Sequence, residues 1–256
     1  MTKGRKGPRA AVFLHGLGGS RHDWDDALAK LGGSVEAVAL DLPGAGDAEK
    51  PADGYDPASL ARWLLDELRR RGLEKPALVG HSLGARVAGE LAATAPQRVA
   101  SLVLVSPLGA ASYSLVEKLK WKAMSRRSIL SSVPEAQMRS ATGYGFARSG
   151  KGKSGFVERA LASRTGKEAA AVARAVEKSV DGVLGAHPLA ERLKGTPMPL
   201  LLVAGAEDPL APPSRTRAIL AARPDAQVVE LPGIGHYPML EDPAGFAKIV
   251  RAFLER

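Results

Sequence analysis

No cysteine occurs in the 256 residues, which excludes disulfides and thiolate metal sites and fits a reducing, cytoplasmic location. No apolar run is long enough to cross a bilayer, so no transmembrane segment is expected. The opening MTKGRKGPRAAVFLHG is basic, but it lacks the apolar centre and small-residue cleavage site of a signal peptide. Aromatic residues make up only 5%. No base-stacking or groove-reading pattern accompanies the basic charge, so nucleic acid is not an expected partner. No pair of histidines has ligand spacing, which leaves a metal site without support. ARSGKGKS (147–154) nearly reads as a phosphate-binding loop, but Ala147 stands where the first glycine is required and no strand precedes it.

What is present is an ordinary globular composition, 45% apolar and 25% charged, in a chain long enough to bury a sizeable core. The formal charge is +9, and its location says more than its size. Residues 109–195 hold sixteen basic against seven acidic side chains, while the remainder balances at zero. Such a switch marks a domain boundary.

Outside that segment, short apolar runs alternate with helical patterns. Strands are expected at 10–14, 35–40, 76–80, 99–106, 199–205 and 226–231. Helices are expected over 60–73, 83–96, 213–222 and 243–255. Continuous apolar strands alternating with helices specify a parallel sheet covered on both faces, an α/β fold of about six strands. The basic segment interrupts the alternation with helical stretches at 114–132 and 167–184, separated by a Gly/Ser/Lys-rich tract (141–156) that reads as a mobile loop. The expected organisation is therefore a core of residues 1–108 and 195–256, with an inserted helical cap at 109–194.

The chemistry starts at PALVGHSLGARVAGELAA (76–93), where Gly80-His81-Ser82-Leu83-Gly84 lies between a strand and a helix. A serine on so sharp a turn is held in strained dihedrals above the sheet, and flanking glycines leave room where no Cβ fits. A serine hydroxyl needs a base, and the base needs an orienting carboxylate. Of the five histidines, His15 and His22 flank the first loop, His81 is inside the turn and His187 is in the insertion. His236 follows the last strand in LPGIGHYP, among glycines that let the loop return over the sheet, and is the best base. Asp208, directly after the strand at 199–205, is the preferred carboxylate, with Glu207 as its competitor. Two backbone N–H groups should hold the oxyanion: Leu83, after the nucleophile, and Leu17 in HGLGGS.

FLHGLGGSRHDW, ALDLPGAGD, LVGHSLGARVAGELAATAPQRVASLVLVSP, LLLVAGAEDPLAPPS and LPGIGHYPMLEDPAGFAKIVRAFL together resemble the α/β-hydrolase superfamily, in the group with a serine nucleophile and a helical cap. The chain order Ser82, Asp208, His236 is the one this fold uses, and serine at the elbow argues against the dehalogenase and epoxide hydrolase branches. The resemblance implies an esterase-like enzyme that cleaves carboxylic esters or thioesters through an acyl-enzyme, with no cofactor. It equally covers C–C bond hydrolysis, lactone opening, perhydrolysis and acyl transfer, and, outside catalysis, a slow ligand receptor or an interaction protein. Two departures stand out. The chain has too few residues before His15 for the usual N-terminal hairpin, and Ala45 and Ala48 replace residues that are often histidine and serine in relatives. The basic residues between Lys118 and Lys153 have two readings: a solvated helix face, or a rim that attracts an anionic or carrier-bound substrate. Candidate pocket walls are Trp24, Leu210, Tyr237, Trp121, Tyr144 and Phe146, each equally suited to the core.

Overall fold

Strands that are apolar along nearly their whole length bury both faces, and the inner part of the sheet is built from these. The computed structural model describes residues 10–33, 35–127, 134–165 and 167–256. Strands β1 (Ala10–Leu14), β2 (Glu36–Leu40), β3 (Ala77–His81), β4 (Leu102–Val105), β5 (Leu200–Gly205) and β6 (Gln227–Leu231) form one sheet in the order β2-β1-β3-β4-β5-β6. All five pairings are parallel. The four inner strands are buried throughout, whereas the edge strands β2 and β6 are partly exposed. The expected architecture is the one found. The expectation of a missing hairpin concerns residues before Ala10, outside the described residues.

The helices are α1 (Asp25–Leu31), α2 (Pro57–Arg70), α3 (Leu83–Thr94), α4 (Leu115–Arg127), α5 (Glu135–Thr142) and α6 (Lys151–Thr165). They continue with α7 (Ala169–Gly185), α8 (Leu189–Leu193), α9 (Pro213–Ala222), α10 (Pro238–Glu241) and α11 (Pro243–Leu254). Successive strand residues point to opposite faces. Val12, Leu14, Leu78 and Leu102 therefore join Leu64 of α2 and Leu91 of α3 in one core layer. Phe13, Val79 and Val103 meet Trp24, with Phe246 and Val250 of α11, in the other. Each fully buried side chain of this size contributes about 1.5–3 kcal/mol. Among the described residues no helix is long and apolar enough to cross a membrane.

Helix α2 begins before the periodic apolar pattern does, because Asp56 caps it by accepting from Ser59 N–H and Pro57 supplies a first-turn φ. The tract at 141–156 corrects the sequence reading. It is not a free loop: α5 ends at Thr142, and α6 already begins at Lys151. Gly152 and Gly155 are inside α6. A Cβ on Gly152 would fall 2.2 Å from the Leu240 carbonyl oxygen, so that glycine serves close packing of α6 on α10 rather than a turn. Residues 128–132 of the other expected helix are outside the described residues.

Candidate active site

β3 ends at His81 and α3 begins at Leu83, so one residue turns the chain from strand to helix. Ser82 does this at φ 51° and ψ −110°, a conformation that a non-glycine residue keeps only where packing enforces it. A Cβ on Gly80 would stand 2.4 Å from the Gly84 carbonyl oxygen, and one on Gly84 2.3 Å from that of Leu14. Both obstacles are backbone and cannot rotate away. Gly84→Ala is therefore expected to cost about 1–3 kcal/mol, the range for overpacking, read as a lower urea midpoint at unchanged slope. A Cβ on Gly16 would lie 3.1 Å from Ser82 Cβ. The loop after β1 thus rests on the serine at the crevice where strand order reverses, the position that favours ligand sites in parallel sheets.

Asp208 follows β5 and His236 follows β6, and the structure brings them together. His236 Nδ1 and Asp208 Oδ2 are 2.8 Å apart, and both residues are 3% exposed, which shields the pair from water. The other carboxylate oxygen, Oδ1, accepts from the N–H groups of Leu210 and Ala211, each at 2.8 Å. Burial alone would raise the Asp208 pKa, but the His236 contact and the Ala211 N–H outweigh it and hold the carboxyl below its ordinary value. Glu207, the competitor, is exposed. Ser106, which the sequence reading missed, is the other non-glycine residue with positive φ among those described, at 45°. Its buried hydroxyl has no well-formed hydrogen bond, yet it lies near enough to Asp208 to favour the ionised carboxylate.

His236 is fixed from several sides. Its N–H donates to the Gly145 carbonyl at 2.7 Å, and its own carbonyl accepts from His81 Nε2 at 2.8 Å. The His81 and His236 rings are 4.7 Å apart. Burial first, and His236 second, hold the His81 pKa well below its ordinary value. The neutral form of His81 is thereby favoured beside His236. Tyr237 meets the His236 ring edge-on at 5.0 Å and stacks on Phe146 at 4.2 Å. The Ser82 hydroxyl makes no protein hydrogen bond among the described residues.

The other histidines have different partners. His15 Nδ1 faces the Gly16 carbonyl at 2.7 Å, and its Nε2 accepts from Leu42 N–H at 3.0 Å. It thereby ties the loop after β1 to the loop after β2. His22 is exposed beside Asp25, and His187 is exposed beside Glu191.

Leu17 and Leu83 line a single cavity of about 350 Å³. Leu83 N–H is the first of α3 and by position has no intrahelical acceptor, and Leu17 N–H has no protein acceptor among the described residues. The remaining walls are mainly small or aliphatic, including Leu42, Ala45, Val172 and Val176. None of the aromatic residues named as candidate walls lines this cavity. Trp24 is core, and Tyr144 is exposed. Lys50 reaches the cavity, but its ammonium is occupied by the carbonyls of Gly46 and Ala48 and the carboxylate of Glu168.

Part of the basic segment is neutralised locally. Lys122 pairs with Asp181, Arg126 with Glu177, and Arg139 with Glu135 and Glu158. Among the described residues, no group of three or more histidine and acidic side chains could hold a metal ion.

The sequence matches the family model described as "Alpha/beta hydrolase family" over residues 11–249. A dihydrolipoyllysine-residue acetyltransferase component of an acetoin cleaving system, from Cupriavidus necator, is 41% identical over 103 residues. That match spans 40% of this chain and only 28% of the relative. A Klebsiella pneumoniae protein named as a candidate carbamate hydrolase is 28% identical over 95% of this chain and 90% of its own length. An esterase structure from Exiguobacterium antarcticum superposes with a TM-score of 0.84 at 15% identity, covering 98% of this chain and 93% of that one.

Proposed function

The chain belongs to the alpha/beta hydrolase family, and from that membership we propose that it is a serine hydrolase of carboxylic esters or thioesters, with Ser82 as nucleophile, His236 as base and Asp208 as its orienting carboxylate. The observation that carries this reading is the buried 2.8 Å contact of His236 with Asp208, on loops that converge beside a strained serine. With Asp208 accepting from Nδ1–H, the Nε2 of His236 is left free to take a proton. Ser82 is not yet hydrogen-bonded to it; in unliganded sites such contacts often tighten only when substrate binds.

In the proposed sequence His236 Nε2 removes the Ser82 proton as Oγ attacks the substrate carbonyl. The carbonyl oxygen becomes an oxyanion that accepts from Leu17 and Leu83 N–H, helped by the positive end of α3. The carbon–oxygen or carbon–sulfur bond then breaks, and the imidazolium protonates the leaving alcohol or thiol. Water, deprotonated by His236, attacks the acyl-serine. Its collapse returns the proton to Ser82 and releases the acid. The helices between β4 and β5 serve as the cap, with α6 and α7 closing the acyl cavity. The same groups would serve carbamate hydrolysis, a reading favoured by the Klebsiella relative's name.

A p-nitrophenyl ester series tests both chemistry and pocket. Activity is expected to fall once the acyl chain outgrows the cavity of about 350 Å³. A rate indifferent to chain length would place the acyl group elsewhere.

A further inference from the structure

Arg164, near the C-terminal end of α6, is without the carboxylate partner that several nearby cations have. Arg159 pairs with Asp23, Arg139 with Glu158, and Lys50 with Glu168. Arg164 has no carboxylate partner among the described residues. Its one hydrogen bond runs from Nη1 to Thr142 Oγ1 at 2.9 Å. Its Nη2 lies 3.8 Å from the place a Cβ on Gly18 would occupy, and Gly18 adjoins Leu17 in the cavity wall. A guanidinium has five donors in a planar fork, so most of this one remains available above the loop proposed to hold the oxyanion. Burial lowers its pKa, and the only opposing influence is Tyr237, whose phenol burial keeps neutral. A partly desolvated cation without a counter-charge is costly unless a ligand provides one.

We propose that Arg164 binds a carboxylate carried by the substrate, which makes the preferred substrate class an ester bearing a free carboxylate a few bonds from the scissile carbonyl. This rests on the serine hydrolase reading above. The fork of Arg164 matches a carboxylate with two parallel N–H···O contacts, a geometry that lysine does not reproduce. Gly18, at φ 71°, sets the backbone of that loop beside Nη2 of Arg164.

The test compares monoethyl glutarate, with its carboxylate on the acyl side, and O-butanoyl glycolate, with it on the alcohol side, against neutral ethyl pentanoate. Hydrolysis is followed by pH-stat for wild type, Arg164→Met and Arg164→Lys. The readout is the ratio of kcat/KM for each anionic ester to that for the neutral ester. In Arg164→Met this ratio is expected to fall about tenfold or more for at least one anionic ester, chiefly through KM, as for loss of a charge-assisted hydrogen bond. Arg164→Lys should retain part of it. If Arg164 merely braces α6 against Thr142, all three esters lose rate together and the ratio stays constant, which overturns the proposal. Calorimetric binding of monoethyl glutarate to Ser82→Ala protein, with and without Arg164→Met, separates the two readings. Arg164-dependent binding without any ester turnover would sink the hydrolase reading alone. Ser82-dependent hydrolysis with Arg164-independent ratios and binding would sink this inference alone.

Discussion

Replacing Ser82 by alanine is expected to reduce ester hydrolysis by about 10⁴–10⁶-fold and to abolish labelling by a fluorophosphonate, leaving only what substrate binding and the oxyanion donors supply. The size of the loss follows from what the side chain does. Without Oγ the proposed acyl-enzyme cannot form, and a water would have to take the place of the serine oxygen. The backbone gives an independent check. Alanine inherits the strained φ of 51°, whereas glycine adopts it freely, so Ser82→Gly is expected to be equally inactive yet more stable than Ser82→Ala by about 1 kcal/mol. Equal stability of the two would mean that the turn stores no strain. Activity of Ser82→Ala within tenfold of wild type would remove the nucleophile assignment altogether. Wild-type protein that takes one equivalent of label but turns over no ester would instead favour a slow receptor.

The three candidate side chains were legible in the sequence because each obeys a local grammar. Each stands just past an apolar run ending at the same edge of a parallel sheet, and glycines or prolines mark where the chain must turn. The sheet was legible for the same reason, since its inner strands carry no polar residue except His81 at the end of β3. What escaped was set by contacts between distant segments. Gly152 and Gly155 read as loop signals, but the first is required by the Leu240 carbonyl that packs against it. No local pattern announces that Ser106 adjoins a carboxylate over a hundred residues away, or that Arg164 lacks the ion pair that Arg159 and Arg139 have. The expected cavity walls are five aromatics and Leu210, yet none of these lines the cavity, and small and aliphatic residues of α6, α7 and the loop after β2 do. A cavity is where large side chains are absent, and sequence announces large residues more clearly than missing ones.

Asp208→Asn tests the least visible member of the site. The change is isosteric, and the surroundings dictate which way the new amide must face. Oδ1 accepts from the N–H groups of Leu210 and Ala211 at 2.8 Å each, and only an oxygen satisfies two donors there. The Asn NH₂ must then point at His236 Nδ1, where the carboxylate Oδ2 had been. Two donors cannot face each other, so Nδ1 becomes the acceptor and the ring proton moves to Nε2. That is the nitrogen proposed to receive the Ser82 proton. The base is thus blocked without moving an atom, and kcat is expected to fall about 10⁴-fold, as loss of the correct tautomer costs elsewhere. Thermal stability should change little, because both backbone contacts persist. Asp208→Ala, by contrast, leaves the buried Ala211 N–H and the part-buried Leu210 N–H without an acceptor and should destabilise by about 1–3 kcal/mol. Nitrogen-15 shifts of the His236 ring report the tautomer directly. An Asn variant that keeps the proton on Nδ1, or that hydrolyses esters within tenfold of wild type, would show that Asp208 does not direct this base.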